Sequence, residues 1–122
     1  MRNSRTIIGL VVLLSACASG SSGGERASRD VLTRDALIAT GDTNAFDAIR
    51  TLQPRWLREG MSVYVDGALA AGGREATRDE GADFLRTLNL VSIEEMRYLD
   101  AQRASIRYGM GMGVVIEVST AR

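Results

Sequence analysis

"RYGMGMGVVIEVSTAR", residues 107–122, is the stretch that decides how the rest of this chain is read. Gly109, Gly111 and Gly113 alternate with Met110 and Met112, and a β-branched run follows. A phosphate-cradling glycine loop leaves a strand and enters a helix, because the unpaired amides at a helix N-terminus hold the anion. Here the order is reversed. "DAQRASIRY" before the glycines has the pattern of a short helix starting near Asp100, and residues 114–119 read as a strand. The spacing is also G-x-G-x-G, with Val114 standing where a dinucleotide loop needs its third glycine. The glycines therefore read as a helix stop followed by close backbone packing, and residues 114–119 as the final strand.

Working backwards, "IEEMRYL" (93–99) is extended, and Glu94 and Glu95 are expected on opposite faces of it. Residues 80–88 fit a helix that offers Ala82, Phe84, Leu85 and Leu88 for burial. In "MSVYVDG", Met61, Val63 and Val65 alternate with Ser62, Tyr64 and Asp66, which predicts a half-buried strand. Asp66-Gly67 predicts a tight hairpin turn into a return strand at 68–71, with Gly72-Gly73 as a loop. Asn44 is a helix cap with Asp47 three residues on, and the helix it starts carries Ala45, Phe46, Ala48, Ile49 and Leu52 on one face until Pro54 ends it. Trp56 is expected to plug the edge of the core. A short strand at 30–32 and a short helix after Thr33, stopped by Gly41, complete the pass. Strands interleaved with helices predict an α+β fold, a small mixed sheet with short helices packed against it and with exposed sheet edges.

The front of the chain is of another kind. "MRNSRTIIGLVVLLSAC" places Arg2 and Arg5 before the apolar run 7–14 and then small residues, the grammar of a secretory signal. That run is far short of the ~20 residues of a membrane-spanning helix. Leu14-Ser15-Ala16-Cys17 resembles the lipobox of bacterial lipoproteins. The resemblance implies cleavage after residue 16 and a lipidated Cys17 as the mature N-terminus, and Ala18 rather than Asp after it implies the outer membrane. Two or more acyl chains anchor stably where one does not, at roughly 0.8 kcal/mol per buried methylene. Residues 17–28, with "ASGSSGGERAS", read as a flexible tether. The expected organisation is thus a signal peptide at 1–16, a tether at 17–28 and one folded domain at 29–122.

Composition narrows the chemistry. The chain has no histidine, one cysteine, and 15 basic against 15 acidic residues. The finely interspersed signs argue against a nucleic-acid partner. Without histidine the commonest general base and metal ligand is missing, and no serine sits in a nucleophile-elbow context, so an enzyme is not expected. No cofactor is expected. Asp42-x-Asn44-x-x-Asp47 faintly follows a calcium loop but has Gln53 where that loop needs a bidentate glutamate, so no metal site is expected either. Asp79, Glu80 and Asp83 read as favourable charge at a helix start.

Five pieces in order resemble the plug domain of TonB-dependent outer-membrane receptors. Tyr64-Val65-Asp66-Gly67 matches a "YVDG" strand end, and Ile93-Glu94, Met96 and Leu99 keep the spacing of an "IExIEVL" strand. Tyr108-Gly109 matches a helix-ending "YG", and residues 113–120 match a "GVIxIxT" strand. "TGDTNAFDAIRTLQP" is similar to an early segment in which a helix follows "G…N". The family's "RGP" after the second of these strands is here Asp100-Ala101-Gln102, and Met96 and Tyr98 replace β-branched residues. In that family a barrel follows the final strand, whereas this sequence ends at Arg122, and no TonB box is evident after Cys17. The resemblance implies a periplasm-facing domain, anchored by lipid in the cell envelope. It would dock a partner such as a receptor barrel or TonB-like machinery, accessory to TonB-dependent uptake. The alternative it implies is a lipoprotein that binds a small ligand of the siderophore, cobalamin or glycan type, with Trp56, Tyr64, Tyr98 and Tyr108 available to line a pocket.

Overall fold

The computed structural model describes residues 29–122. It is a mixed five-stranded sheet with short helices, the expected α+β class. The strands are β1 (Val31–Thr33), β2 (Met61–Val65), β3 (Ala68–Ala71), β4 (Ile93–Leu99) and β5 (Val114–Thr120). The helices are α1 (Arg34–Ala39), α2 (Ala45–Leu52), α3 (Arg78–Thr87) and α4 (Ala101–Tyr108). The sheet order is β1-β4-β5-β2-β3. All neighbours are antiparallel except β2 and β5, which run parallel in register from Met61 beside Val114 to Val65 beside Val118.

Local chemistry sets the element ends. Thr33, Asn44, Thr77 and Asp100 each accept a hydrogen bond from a backbone N–H of the first turn of α1, α2, α3 and α4, at 3.3, 2.9, 3.2 and 2.8 Å. Such a cap satisfies one of the amides that a helix start leaves unpaired. The Thr77 cap starts α3 at Arg78, two residues before the expected start at 80. Pro54 ends α2 as expected, and a 3-10 turn (Pro54–Leu57) follows that the spacing does not announce. A second 3-10 turn (Leu90–Ser92), capped by Asn89, leads into β4. Asp66 and Gly67 sit at φ +50° and +89°, the two left-handed positions of a type I′ turn, and close the β2–β3 hairpin.

The two faces of the sheet are covered unequally. One face carries Val63, Met96, Ile116 and Val118 under α1, α2 and α3, whose Leu37, Ile49 and Leu85 are buried with them. Trp56 seals the edge of this core at 1 % exposure, as expected. The other face is covered only in part by α4 and the glycine loop, where Leu99, Ala104, Met112 and Val115 form a second, smaller cluster flanked by Tyr64 and Tyr108. The rest of that face, with Glu95, Arg97 and Ser119, is partly or fully exposed.

Two expectations are corrected. The glycines after α4 do stop the helix, with Gly109 at φ +115° and Gly111 at φ +86°. They do not clear a close backbone approach, because a Cβ added at Gly109, Gly111 or Gly113 would meet nothing within 4 Å. Conformation, not space, asks for glycine at 109 and 111. Close approaches lie elsewhere, at Gly60, Gly72 and, within α3, Gly81, where a Cβ would stand 2.9 Å from the Met61 carbonyl oxygen and closer still to Met61 Cγ. The second correction concerns Glu94 and Glu95. The ladder between β4 and β5 slips between Ile93 and Glu95, so strict alternation fails and both carboxylates border one depression.

Gly81 therefore separates packing from propensity. In an open helix Gly→Ala gains about 1 kcal/mol, whereas overpacking a core costs about 1–3 kcal/mol. Gly81→Ala should destabilise the domain by roughly 1–2 kcal/mol in urea unfolding, because the Met61 backbone cannot step aside without breaking β2. A Gly81→Ala domain as stable as the parent would show that β2 and α3 are not in this contact.

Candidate functional site

The residues singled out from the sequence do not converge. Cys17 lies outside the described residues. Asn44 caps α2 and donates through Nδ2 to Asp47 (3.0 Å), and the Asp42 carboxylate accepts from the Thr51 hydroxyl (3.0 Å), so these groups are engaged in holding the helix start. Among the described residues no three acidic, histidine or cysteine side chains are grouped to hold a metal ion. Asp79 and Glu80 lie in the first turn of α3, and Asp83 pairs with Arg86 at 2.8 Å. Glu94 and Glu95 border a depression with Thr33, Arg34, Asp35 and Ser119, and each leans to its own arginine, Arg34 at 4.0 Å and Arg97 at 3.2 Å.

The four aromatic candidates split into two pairs on opposite faces of the sheet. Trp56 stacks on Tyr98, with ring centroids 5.5 Å apart, beside the larger core. Burial pushes the Tyr98 phenol above its ordinary pKa, and the nearby Glu59 carboxylate adds to this. Tyr64 stacks on Tyr108 at 3.9 Å and 17° across the smaller cluster. Stacks of this kind contribute about 1 kcal/mol beyond the area they bury. A pocket lined by all four does not form.

Each pair is tied into a polar network. On the first side Asp30 accepts from Arg55 (2.8 Å) and Arg103 (2.9 Å), the Trp56 indole N–H donates to the Arg29 carbonyl (3.1 Å), and the Arg55 guanidinium lies 5.2 Å from the Tyr98 ring centre. This clip fixes residues 29 and 30 against the start of α4. On the second side the Tyr108 hydroxyl donates to Glu117 Oε2, which also accepts from Arg107 Nε at 2.9 Å. The side chain of Glu117 is only 14 % exposed and lies beside Tyr64 in the β2–β5 register. At the end of the same pair of strands Asp66 accepts from the Thr120 amide (2.9 Å) and hydroxyl (2.5 Å). Those two bonds hold the Asp66 carboxyl below its ordinary pKa.

The feature that sequence reasoning only brushed is the outer edge of β3. It ends the sheet, and among the described strands none pairs with its far side. Ala68, Leu69 and Ala70 are exposed there, Leu69 to 50 %. Free edges are usually blunted by charge, proline or a covering element, because their unpaired N–H and C=O groups template another strand. "ALAA" carries neither charge nor proline. The other edge, β1, is three residues long and its Leu32 is buried, so it offers far less. The signal was present in the sequence as an uncharged strand after a hairpin turn, but only the sheet order makes it an edge.

Tyr108 gives this region a solution signature. Burial, and then its hydrogen bond to the Glu117 carboxylate, push the phenol up to about 12. A tyrosine whose folded pKa lies above its unfolded value of about 10 adds stability that is whole below pH 10 and is lost as pH rises towards 12. In an ultraviolet titration of phenolate, Tyr108→Phe should remove the highest-titrating of the chain's three tyrosines and flatten the alkaline loss of stability. A parent and a Tyr108→Phe variant with the same alkaline unfolding profile would contradict the Tyr108–Glu117 contact.

Comparison of the chain with protein-family models, curated proteins and solved structures finds no match in any of the three.

Proposed function

We propose that this chain is a lipid-anchored protein of the bacterial cell envelope, held in the outer membrane through Cys17. In this reading its plug-like domain faces the periplasm and docks another envelope protein, as an accessory to TonB-dependent uptake. The observation that carries the docking reading is the β3 edge, which is exposed, uncharged and free of proline, and is held on its inner side by β2. Such an edge accepts an extended segment of a partner by main-chain hydrogen bonds, with alternate side chains supplying selectivity. Leu69 gives that edge one apolar contact point.

Two of the segments that carry the likeness to the plug family meet in the fold. The Asp66-Gly67 turn and the 113–120 segment are 54 residues apart at the Asp66–Thr120 contact, yet β2 and β5 lie side by side and Asp66 binds the end of β5. A carboxylate at that turn and a threonine at that strand end thus have a shared physical reason. The small-ligand reading gains no such support, since the aromatic residues stand on opposite faces and the surface depressions are open and bordered by charged side chains.

Three measurements test this function. Cys17→Ala should move the protein from the membrane to the soluble fraction, and full membrane retention would remove the anchor. Copurification of the anchored protein from detergent-solubilised envelopes should yield a protein partner near stoichiometry. Placing an arginine at position 69 (Leu69→Arg) should reduce that yield about tenfold or more, since it sets charge on the strand edge. Tight binding of a purified iron chelate or cobalamin with no partner present would overturn the docking reading in favour of the small-ligand one.

A further inference from the structure

Ile106 and Met110 are the two most exposed large apolar side chains among the described residues, at 80 % and 84 %. Ile106 lies on the side of α4 that faces away from the sheet, since α4 buries Ala104 and leans Ser105 and Tyr108 inward, and Met110 stands exposed in the loop just after the helix. Isolated exposed apolar residues are ordinary, so their position must carry the argument. Ile106 is three residues after Arg103, hence its neighbour on the helix surface. Arg103 is the residue that grips Asp30, so the chain enters the folded domain beside this patch.

We infer that this outward side of α4, with Ile106 and Met110, rests on the lipid surface to which the chain is anchored. The inference rests on the reading of Cys17 as the lipid anchor. A glycine- and serine-rich stretch of about eleven residues, such as 18–28, has a root-mean-square reach of roughly 17–20 Å. A domain of this size has a radius of gyration of about 13 Å. Reach of that order keeps the point where the chain enters the domain within roughly one domain diameter of the bilayer, so the side nearest that point is the side presented to the lipid most often. Arg103 and Arg107 flank Ile106. Although paired with Asp30 and Glu117, their side chains remain 46 % and 58 % exposed, suited to the headgroup layer while the apolar side chains dip below it. The β3 edge points along the sheet plane rather than out of the α4 face, so lipid contact and partner docking leave each other free.

The test uses the full, cell-lipidated protein reconstituted into vesicles of phosphatidylethanolamine and phosphatidylglycerol. Ile106→Cys, Met110→Cys and, on the opposite side of the sheet, Glu80→Cys are each labelled with an environment-sensitive thiol dye and quenched with brominated lipid. All three positions are exposed, so the fold is spared. Quenching at 106 and 110 should exceed that at 80 by roughly threefold or more, because apolar faces of interfacial helices sit only about 5–10 Å into the headgroup boundary. Equal, weak quenching at all three in protein that floats with the vesicles would overturn the orientation while leaving the anchor intact. If the parent chain, with no added cysteine, takes up the dye at Cys17 and fails to float, the anchor falls and the orientation falls with it.

Discussion

The parallel pairing of β2 with β5 is the constraint on which the other elements depend. Antiparallel neighbours can be joined by a two-residue turn, but a parallel pair needs a long crossover. Here the crossover contains β3, α3, β4 and α4, so the chain must place a return strand outside β2 and bring β4 back to the far side of β5. The pair is closed at one end by Asp66, which accepts from the amide and hydroxyl of Thr120, while the Asp66 amide donates to the Val118 carbonyl at 2.9 Å. A turn that also ends a parallel partner fixes register twice, and register decides which side chains meet the larger core.

From that register the unequal faces follow. Val63, Ile116 and Val118 point to the three-helix side, while Ser62, Tyr64, Val115 and Glu117 point to the side that α4 covers only in part. Ser62 is buried but satisfied, since its hydroxyl donates to the Gly73 carbonyl and accepts from the Gly73 amide, which pins the loop after β3. The stack of Tyr64 on Tyr108 and the Glu117–Arg107 pair then hold α4 to a face too small to bury a helix by apolar contact alone. The arrangement leaves α4 with an outward side and β3 with an outward edge, and the function proposed for the chain uses both.

Much of this was legible in the chain. The period-two pattern of residues 61–65, the Asp66-Gly67 turn and the β-branched run after Gly113 report local preferences that tertiary packing does not oppose, and each element formed where expected. What was not legible is what depends on long-range placement. The slip beside Glu95 comes from pairing with β5, and no local signal marks it. The glycines at 109 and 111 invite a packing explanation, yet their need is conformational, while Gly81, unremarkable within a helix, is pressed against Met61. The aromatic residues could line one pocket or serve two faces, and only the sheet order separates them. The same holds for the β3 edge, because "ALAA" is a free edge only if no strand joins it.

Central to this account is a sheet that is firm at β5 and open at β3. Native-state hydrogen exchange of the folded domain reads both directly, amide by amide. The amides of residues 115–118 should exchange only through global unfolding, while those of residues 68–71 whose N–H groups face outward should exchange many times faster at the same pH. Equal protection of the two strands would show that β3 is covered or that β5 is not central, and would contradict the architecture from which the docking edge is drawn.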